Sequence, residues 1–299
     1  MKTSIDGILN INKPEGNSSF SVVAWLKRLT GEKRLGHAGT LDPMATGVLP
    51  ICLGQGTRIV PFLMDSSKTY YAQIELGVST ATFDREGEVV QRCELSNVTS
   101  AQIEKALTSF CGTIEQVPPI YSALKYNGRR YYELARAGIP IEPKPRQVKI
   151  ASLELIDCRL PLITIKVVCG KGTYVRSLAH DLGQHLGCGA YLKNLIRSQY
   201  GPFRVENALS RAQVEDVFQQ GTWREYLYSV DTPLSSWSAV IVGERDELAI
   251  RNGCSLVLEE ERSPSEEYCR AYNLDGHFVA VLRFISEKKL WHPEKVFSP

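Results

Sequence analysis

The spacing of hydrophobic and polar residues predicts a body that contains both strands and helices. From residue 68 to residue 76 apolar and polar side chains alternate, which is typical of a half-buried strand with Tyr70 on its apolar face. Similar patterns predict strands at residues 6–12, 147–157 and 162–169. Helical spacing begins at four other places, where the first turn can be capped by Ser18 or Ser19, Thr99, Thr173 and Ser210.

Two of these helices have apolar stripes that should face a core. The first stripe consists of Val22, Val23, Leu26 and Leu29. We expect that helix to end at Gly31, because glycine readily adopts the left-handed conformation that stops a helix. The stripe of the helix after Thr173 consists of Val175, Leu178, Leu182 and Leu186.

The pattern changes near the end of the chain. Residues 232–238, Thr-Pro-Leu-Ser-Ser-Trp-Ser, have the composition of a linker. Short β-like runs follow it at residues 239–242, 254–258, 268–272 and 278–284. We therefore expect two domains, residues 1–235 and a small β-rich domain of residues 236–299.

The most informative stretch for chemistry is residues 36–50, Gly-His-Ala-Gly-Thr-Leu-Asp-Pro-Met-Ala-Thr-Gly-Val-Leu-Pro. It holds a single acid, Asp42, and Pro43 pushes that residue towards an extended backbone. No other acid occurs between Glu32 and Asp65, although a distant carboxylate could fold in. A lone acid in a shaped loop suits nucleophilic catalysis. The alternative is that Asp-Pro merely opens a turn that the glycines complete.

Arg176 is a second candidate for the chemistry. It falls in the first turn of the helix predicted after Thr173, where a cation faces the positive end of the helix macrodipole. An anion close to Arg176 would remove this conflict. The sequence leaves two sources open, a substrate phosphate bound with help from Lys171 and the helix N-terminus, or the carboxylate of Asp42.

Composition excludes several classes of protein. The chain of 299 residues is 43% hydrophobic and 23% charged, as expected for one large domain or two. Its eight cysteines form no C-x-x-C pair and its five histidines show no metal-ligand spacing, so we expect reduced thiols and no metal site. The N-terminus does not resemble a signal peptide and no apolar run could span a bilayer. We expect a cytoplasmic location and no membrane partner.

Charge is unevenly distributed although the net charge is only +2. Residues 236–299 hold 8 basic and 11 acidic residues, so the excess of positive charge lies in residues 1–235. We call residues 125–149 the basic segment, because it carries Lys125, Arg129, Arg130, Arg136, Lys144, Arg146 and Lys149 against two acids. Tyrosines at 126, 131 and 132 interleave with these cations. Such a mixture suits phosphates and stacked bases, although many charged runs are only solvated surface.

Several motifs occur in a fixed order along the first two thirds of the chain. The first are residues 7–16, Gly-Ile-Leu-Asn-Ile-Asn-Lys-Pro-Glu-Gly, and the string at 36–50. They are followed by Lys68-Thr69-Tyr70, Tyr121-Ser122-Ala123-Leu124-Lys125, Gly172-Thr173-Tyr174-Val175-Arg176 and Leu195-Ile196-Arg197. Together these motifs, which cover roughly residues 5–205, resemble those of the TruB family of pseudouridine synthases, which modify position 55 of bacterial tRNA.

The resemblance implies an α+β fold with a mixed, largely antiparallel sheet, flanking helices and a small C-terminal domain of the PUA type that binds RNA. It also implies an insertion at about residues 119–148 that grips an RNA stem-loop. The expected partner is the T stem-loop of tRNA. Neither a cofactor nor an obligate protein partner is implied.

The resemblance assigns three catalytic residues. Asp42 matches the nucleophile, Tyr70 matches the tyrosine that packs against the flipped base, and Arg176 matches the arginine that pairs with the aspartate. His37 resembles the histidine that takes the place of the flipped base in the RNA loop, where an aromatic ring can replace lost stacking. Further substrate- or RNA-binding residues are expected at Lys13, Lys125, Arg129, Arg130, Tyr174 and Leu195. Lys13, with Pro14 and Gly16, is also expected to shape a loop beneath the string at residues 36–50. Residues 79–84, Ser-Thr-Ala-Thr-Phe-Asp, depart from the family's Thr-x-Thr-x-x-Asp, which leaves the roles of Thr82 and Asp84 open.

The sequence is compatible with three functions. The leading one is an enzyme that isomerises uridine to pseudouridine at position 55 in the T loop by flipping the base out of the RNA. The second is a tRNA-binding or tRNA-folding factor with little catalytic activity. The third is a hydrolase of nucleosides or glycans, which is disfavoured because Asp42 lacks a local carboxylate partner.

Overall fold

The structure, a computed structural model, describes residues 5–122, 124–126, 128–258 and 267–298. The acidic run at residues 259–261 and motif residue Ala123 lie outside these ranges. Among the described residues, no helix is long and apolar enough to cross a membrane.

Strands dominate the described chain. They are β1 (Gly7–Lys13), β2 (Leu35–His37), β3 (Thr46–Leu53), β4 (Lys68–Leu76), β5 (Val78–Thr80), β6 (Val89–Arg92), β7 (Gly112–Gln116), β8 (Lys125–Tyr126), β9 (Arg129–Arg130), β10 (Arg146–Arg159), β11 (Leu162–Cys169), β12 (Ala190–Tyr200), β13 (Phe203–Arg204), β14 (Ala239–Ile241), β15 (Tyr268–Tyr272), β16 (Phe278–Ile285) and β17 (Leu290–Val296). The helices are α1 (Ser19–Thr30), α2 (Val60–Asp65), α3 (Ser100–Ser109), α4 (Tyr131–Arg136), α5 (Val175–His185), α6 (Arg211–Gln219) and α7 (Glu244–Arg251).

One large sheet organises the first part of the chain. Its central order is β1-β3-β12-β4-β11-β10-β7, with β2 paired to β3 and β13 paired to β12. All of these pairs are antiparallel except β12 with β3. The predicted α+β fold with a mixed, largely antiparallel sheet is therefore confirmed.

Most local predictions were correct because neighbouring residues determine them. β4 has the predicted bounds and buries Tyr70. The hydroxyl group of Ser18 caps α1, and Gly31 ends that helix with a φ of 65°. Thr99 and Ser210 each form the predicted capping box, with Gln102 and Gln213 respectively.

Three local predictions were wrong. Thr173 does not cap α5, because Tyr174 occupies the cap position and the Thr173 hydroxyl group donates to the carbonyl of Gly170 at 3.3 Å. Leu29 is exposed, since α1 packs on the core mainly through its first two turns and Leu26. Residues 254–258 form no strand; Leu256 makes only an isolated bridge to Trp291.

The C-terminal strands form a separate four-stranded sheet of order β14-β15-β16-β17. Its buried side chains, among them Val240, Cys269 and Trp291, form their own hydrophobic cluster with Ile250 of α7. Val281 and Phe297 instead join a second cluster that contains Ile8 and Tyr200 of the large sheet. This shared cluster packs the two sheets against each other.

Candidate active site

A cavity of about 310 Å³ opens between the loop at residues 39–42, the strands β4 and β12, and the turn that leads into α5. Its volume is at the lower end of the range for small-ligand sites. It brings together Asp42, Tyr70, Tyr174, Arg176 and Leu195, which the sequence had placed in separate segments.

The backbone around Asp42 is held from several sides. The hydroxyl group of Ser19, at the start of α1, accepts a hydrogen bond from the Leu41 N–H at 2.9 Å and donates to the Leu41 carbonyl at 3.2 Å. The N–H of Gly16 donates to the carbonyl of Pro43 at 2.9 Å. These contacts fix the loop, while the side chain of Asp42 keeps 31% of its surface exposed towards the cavity.

The predicted ion pair between Arg176 and Asp42 is present. Arg176 Nη2 donates to Asp42 Oδ1 at 3.0 Å, and Nε lies 2.9 Å from Oδ2. Nη2 also donates to the carbonyl of Tyr121 at 3.0 Å. The Arg176 side chain is only 5% exposed, so water screens this pair weakly. Of the two anions that the sequence left open as the partner of Arg176, the structure shows the carboxylate of Asp42.

Asp84 is a second carboxylate of the site, and the sequence had left its role open. Its Oδ2 accepts a hydrogen bond from Arg176 Nη1 at 3.3 Å, and both side chains are buried. The Thr82 hydroxyl group and the Glu86 N–H donate to Asp84 Oδ1. An acid distant in the chain is therefore present near Asp42. It contacts Nη1 of Arg176, whereas Asp42 contacts Nη2 and Nε. The Thr-Phe-Asp end of residues 79–84 was the only sequence signal for it.

Opposing effects act on the acidity of Asp42. Burial raises the pKa of Asp42 above its ordinary value, and the negative charge of Asp84 adds to this increase. The positive charge of Arg176 and its hydrogen bond oppose the increase, as does the charge of Lys13. Without Arg176 this carboxylate would lose the main group that keeps it ionised.

Apolar and aromatic side chains form the walls beside Asp42. Tyr70 and Leu195 are both buried and line the cavity. Burial raises the pKa of Tyr70, so its phenol is neutral near pH 7. Gln116 of β7 positions Tyr174 through two hydrogen bonds. Gln116 Oε1 accepts from the Tyr174 N–H at 2.8 Å, and Gln116 Nε2 donates to the Tyr174 carbonyl at 3.0 Å. Sequence reasoning had missed Gln116, which carries no motif.

Lys13 does not line the cavity, and its contacts are those of the expected loop-shaping role and not of a residue that binds RNA. It is fully buried, and its ammonium group donates to the carbonyls of Pro14, Asn17 and Pro43 at 2.9, 2.6 and 3.1 Å. An ammonium group has three hydrogens, so all of them are used. Lys13 therefore supports the loop of Asp42.

Three further predicted residues, His37, Arg129 and Arg130, lie outside the cavity. His37, at the end of β2, does not line it; burial and the charge of Arg197 lower the pKa of His37, and its Nδ1 has no partner among the described residues. Arg129 and Arg130 are exposed on β9. β8 pairs Lys125 with Arg130 through the backbone. The Lys125 side chain lies outside the part of the molecule that the structure describes, so its predicted contact with RNA stays a prediction.

Gly47→Ala is expected to destabilise the protein by about 2–3 kcal/mol, because overpacking and backbone strain would act together. A Cβ atom there would lie 2.3 Å from the Arg197 carbonyl oxygen, and φ is +101°. Gly36→Ala is the matched control, since it has open space and no positive φ; it should change the free energy of unfolding by less than about 0.5 kcal/mol. Urea denaturation measures both. Equal effects would remove the steric explanation.

No cluster of three His, Cys, Asp or Glu side chains suited to a metal occurs in the part of the chain that the structure describes. The chemistry that the cavity residues offer is that of an ionised carboxylate beside a buried guanidinium and an aromatic wall.

Known proteins resemble this chain over nearly its whole length. The model of the TruB family pseudouridylate synthase N-terminal domain matches residues 27–175, and that of the tRNA pseudouridylate synthase B C-terminal domain matches residues 176–236. A tRNA pseudouridine synthase B of Dehalococcoides mccartyi (strain CBDB1) is 45% identical, covering 98% of this chain and 97% of that protein. Its namesake in Clostridium kluyveri is 42% identical, with 93% and 95% covered.

A solved structure has the same fold. A chain in the crystal structure of a Cbf5-Nop10-Gar1 complex superposes with a TM-score of 0.75 at 25% identity, covering 98% of this chain and 85% of that one. Two family models that together span more than half of the chain, and relatives above 40% identity, agree with the motifs gathered around the cavity. The chain therefore belongs to the TruB family of pseudouridylate synthases.

Proposed function

We propose that this protein isomerises uridine to pseudouridine at position 55 in the T loop of tRNA, with Asp42 as its catalytic carboxylate. The observation that carries this proposal is that Arg176 contacts both Asp42 and Asp84, and that Arg176 and Asp42 line one cavity with Tyr70 and Leu195. The names of the relatives support tRNA as the substrate.

The reaction explains why these groups are needed. The bond between C1′ and N1 of uridine breaks, a bond between C1′ and C5 forms, and the hydrogen lost from C5 is replaced by one on N1. None of this is possible while the base is stacked, so the base must be flipped into the cavity. Asp42 supplies the nucleophilic carboxylate, Arg176 keeps it ionised, and Tyr70 and Leu195 hold the detached base.

One assay tests the proposal against its competitors. The protein is incubated with an unmodified tRNA transcript, and the T loop is then probed for a uridine isomer of unchanged mass that reacts with carbodiimide. We expect that isomer at position 55. Release of free uracil would instead identify a hydrolase, and binding without conversion would identify a folding factor.

We also propose that the chain divides at residues 235 and 236 into a catalytic domain and a PUA-like RNA-binding domain, and that residues 119–148 grip the RNA stem. The separate sheet and hydrophobic cluster of the C-terminal part support the first division. Within residues 119–148, the hairpin of β8 and β9 precedes α4, and the last three residues already belong to β10.

The basic segment has the features of a phosphate-binding surface. Arg129 and Arg130 are exposed, and the guanidinium groups of Arg130 and Arg136 lie 6.0 and 5.8 Å from the ring centroid of Tyr132. Side chains of this kind can contact the backbone of RNA while an aromatic ring stacks nearby.

Replacing both Arg129 and Arg130 by alanine is expected to reduce the salt dependence of tRNA binding. Removing one phosphate interaction should lower the slope of log K against log salt by roughly 0.7–0.9, since fewer counterions are released. Filter binding across a salt series measures the slope. Arg159→Ala, on a highly exposed arginine at the far end of β10, is the control and should leave the slope unchanged. An unaltered slope in the double variant would show that Arg129 and Arg130 do not contact phosphates and are only solvated surface residues.

A further inference from the structure

Two buried cations at one side of the active-site cavity have no carboxylate partner within the described ranges. Lys68 is 7% exposed and Arg197 is 1% exposed, and both line the cavity. The other cations of the cavity lining are neutralised, since Arg176 contacts Asp42 and Asp84, and Lys171 lies 2.6 Å from Asp65. Two uncompensated positive charges therefore face the space that the substrate enters.

The two cations are neighbours across the sheet. In the register of β4 and β12, Lys68 pairs with Tyr200 and Tyr70 pairs with Arg197, so these side chains share one face. Lys68 Nζ lies 4.4 Å from the Tyr200 ring centroid, and the Arg197 guanidinium lies 4.9 Å from the same centroid. Burial and the charge of Arg197 lower the pKa of Lys68 to about 8. Cation–π contact alone does not offset this desolvation and repulsion.

Donor groups remain available around this cluster. The ammonium of Lys68 donates to the carbonyls of Met64 and Ser66 at 2.6 and 2.7 Å, which leaves one of its three hydrogens free. Arg197 donates to the carbonyls of Val48 and Gly39 at 2.7 and 3.2 Å.

The hydroxyl group of Tyr200 is also buried, and it has no hydrogen-bond partner among the described residues. A buried polar group without a partner is costly, as is a buried charge without an anion. Tyr200 also lines the cavity, so a ligand that entered there could satisfy all three side chains at once.

We propose that Lys68, Arg197 and the hydroxyl group of Tyr200 form a subsite for a backbone phosphodiester group adjoining the target nucleotide. This assignment rests on the proposed function, which makes RNA the ligand, and phosphodiesters are the anionic groups of RNA. Lys68 is two residues from Tyr70 on the same strand face, about 7 Å along β4. One nucleotide spans such a distance between its base and its phosphate.

The test uses synthetic T-arm RNAs in which a single methylphosphonate replaces one charged linkage on either side of the target uridine. Conversion of the unmodified RNA by the unaltered protein is measured first, so failure of the proposed function is recognised separately. For one of the two linkages we expect the neutral replacement to weaken binding about tenfold or more, since it removes a hydrogen bond between charged groups.

Lys68→Met is then expected to weaken binding of the unmodified RNA by a similar factor and to be insensitive, within about twofold, to the methylphosphonate at that linkage. Such non-additivity identifies a direct contact. Lys193→Met is the control, because Lys193 is paired with Glu75 at 2.8 Å and does not line the cavity; it should retain the sensitivity of the unaltered protein.

Tyr200→Phe covers the case in which Lys68→Met fails to fold, because it removes only the hydroxyl group. We expect it to reduce the effect of the same methylphosphonate several-fold. Additive losses in both variants would overturn the subsite. So would a slower chemical step with unchanged affinity for every RNA, which would show that the positive charge acts on the detached base.

Discussion

Asp42→Asn is expected to abolish pseudouridine formation, by about 10³-fold or more in the single-turnover rate, while tRNA affinity stays within about tenfold. The amide has nearly the shape of the carboxylate, so the loop held by Ser19 and Lys13 should persist. It lacks the negative charge and is a poor nucleophile. Arg176 would keep Asp84 as an anionic partner, which limits the structural damage.

Rapid-quench conversion of labelled tRNA and filter binding give the two quantities for Asp42→Asn. Asp216→Asn, on the exposed side of α6, is the matched control and should behave like the unaltered protein. If Asp42→Asn retained a substantial fraction of the single-turnover rate, Asp42 would not be the catalytic carboxylate, and the proposed mechanism would have to be abandoned.

Arg176→Met is expected to reduce activity sharply and to destabilise the protein by roughly 3–5 kcal/mol, because it leaves buried carboxylates without their cation. Asp84 would remain buried beside Asp42, and Tyr121 would lose a donor to its carbonyl. Arg176→Lys should restore little activity. One ammonium group cannot reproduce the separate contacts that the guanidinium makes with Asp42 and Asp84.

The pH dependence of the rate distinguishes this electrostatic role from a purely structural one. Catalysis requires ionised Asp42, so the rate should fall as pH drops through the pKa of Asp42 in the folded protein. That pKa is already raised by burial, and loss of Arg176 should raise it further. The acidic limb of the profile for Arg176→Lys or Arg176→Met should therefore move to higher pH.

Residual activity must be measured across that whole pH range, and urea denaturation gives the loss of stability. Arg159→Met is the control, since the highly exposed Arg159 pairs with Asp157 at 3.3 Å, a surface ion pair worth at most about 1 kcal/mol. An acidic limb that stays in place in the Arg176 variants would show that Arg176 does not tune Asp42.

Local structure was predictable from local sequence where neighbouring residues supply the determining contacts. The alternation in β4 and the capping boxes at Thr99 and Ser210 each involve residues only two to four positions apart. The prediction for Thr173 failed because its hydroxyl group found the carbonyl of Gly170, a competing partner just as close in the chain. The prediction of a strand at residues 254–258 failed because only Leu256 pairs with a neighbouring strand, at Trp291.

The candidate site was predictable only in part. Asp42, Tyr70 and Arg176 were identified through motifs, and the ion pair of Asp42 with Arg176 joins positions 134 residues apart. The motif of Lys13 was equally clear, yet burial and three backbone acceptors leave its ammonium group without a free hydrogen for RNA. A motif identifies a residue type at a position, but it does not say which way the side chain points.

The sequence by itself determined the family, the strand and helix patterns, and Asp42 as the candidate catalytic carboxylate, because these depend on residue order and on contacts within a few positions. Only the tertiary structure decided that Asp84 shares Arg176 with Asp42, and that Lys68, Tyr200 and Arg197 meet across β4 and β12. The physical reason is that charge and desolvation act through space. Sheet register and packing determine which charged side chains lie next to each other, and they bring together groups that no local sequence pattern connects.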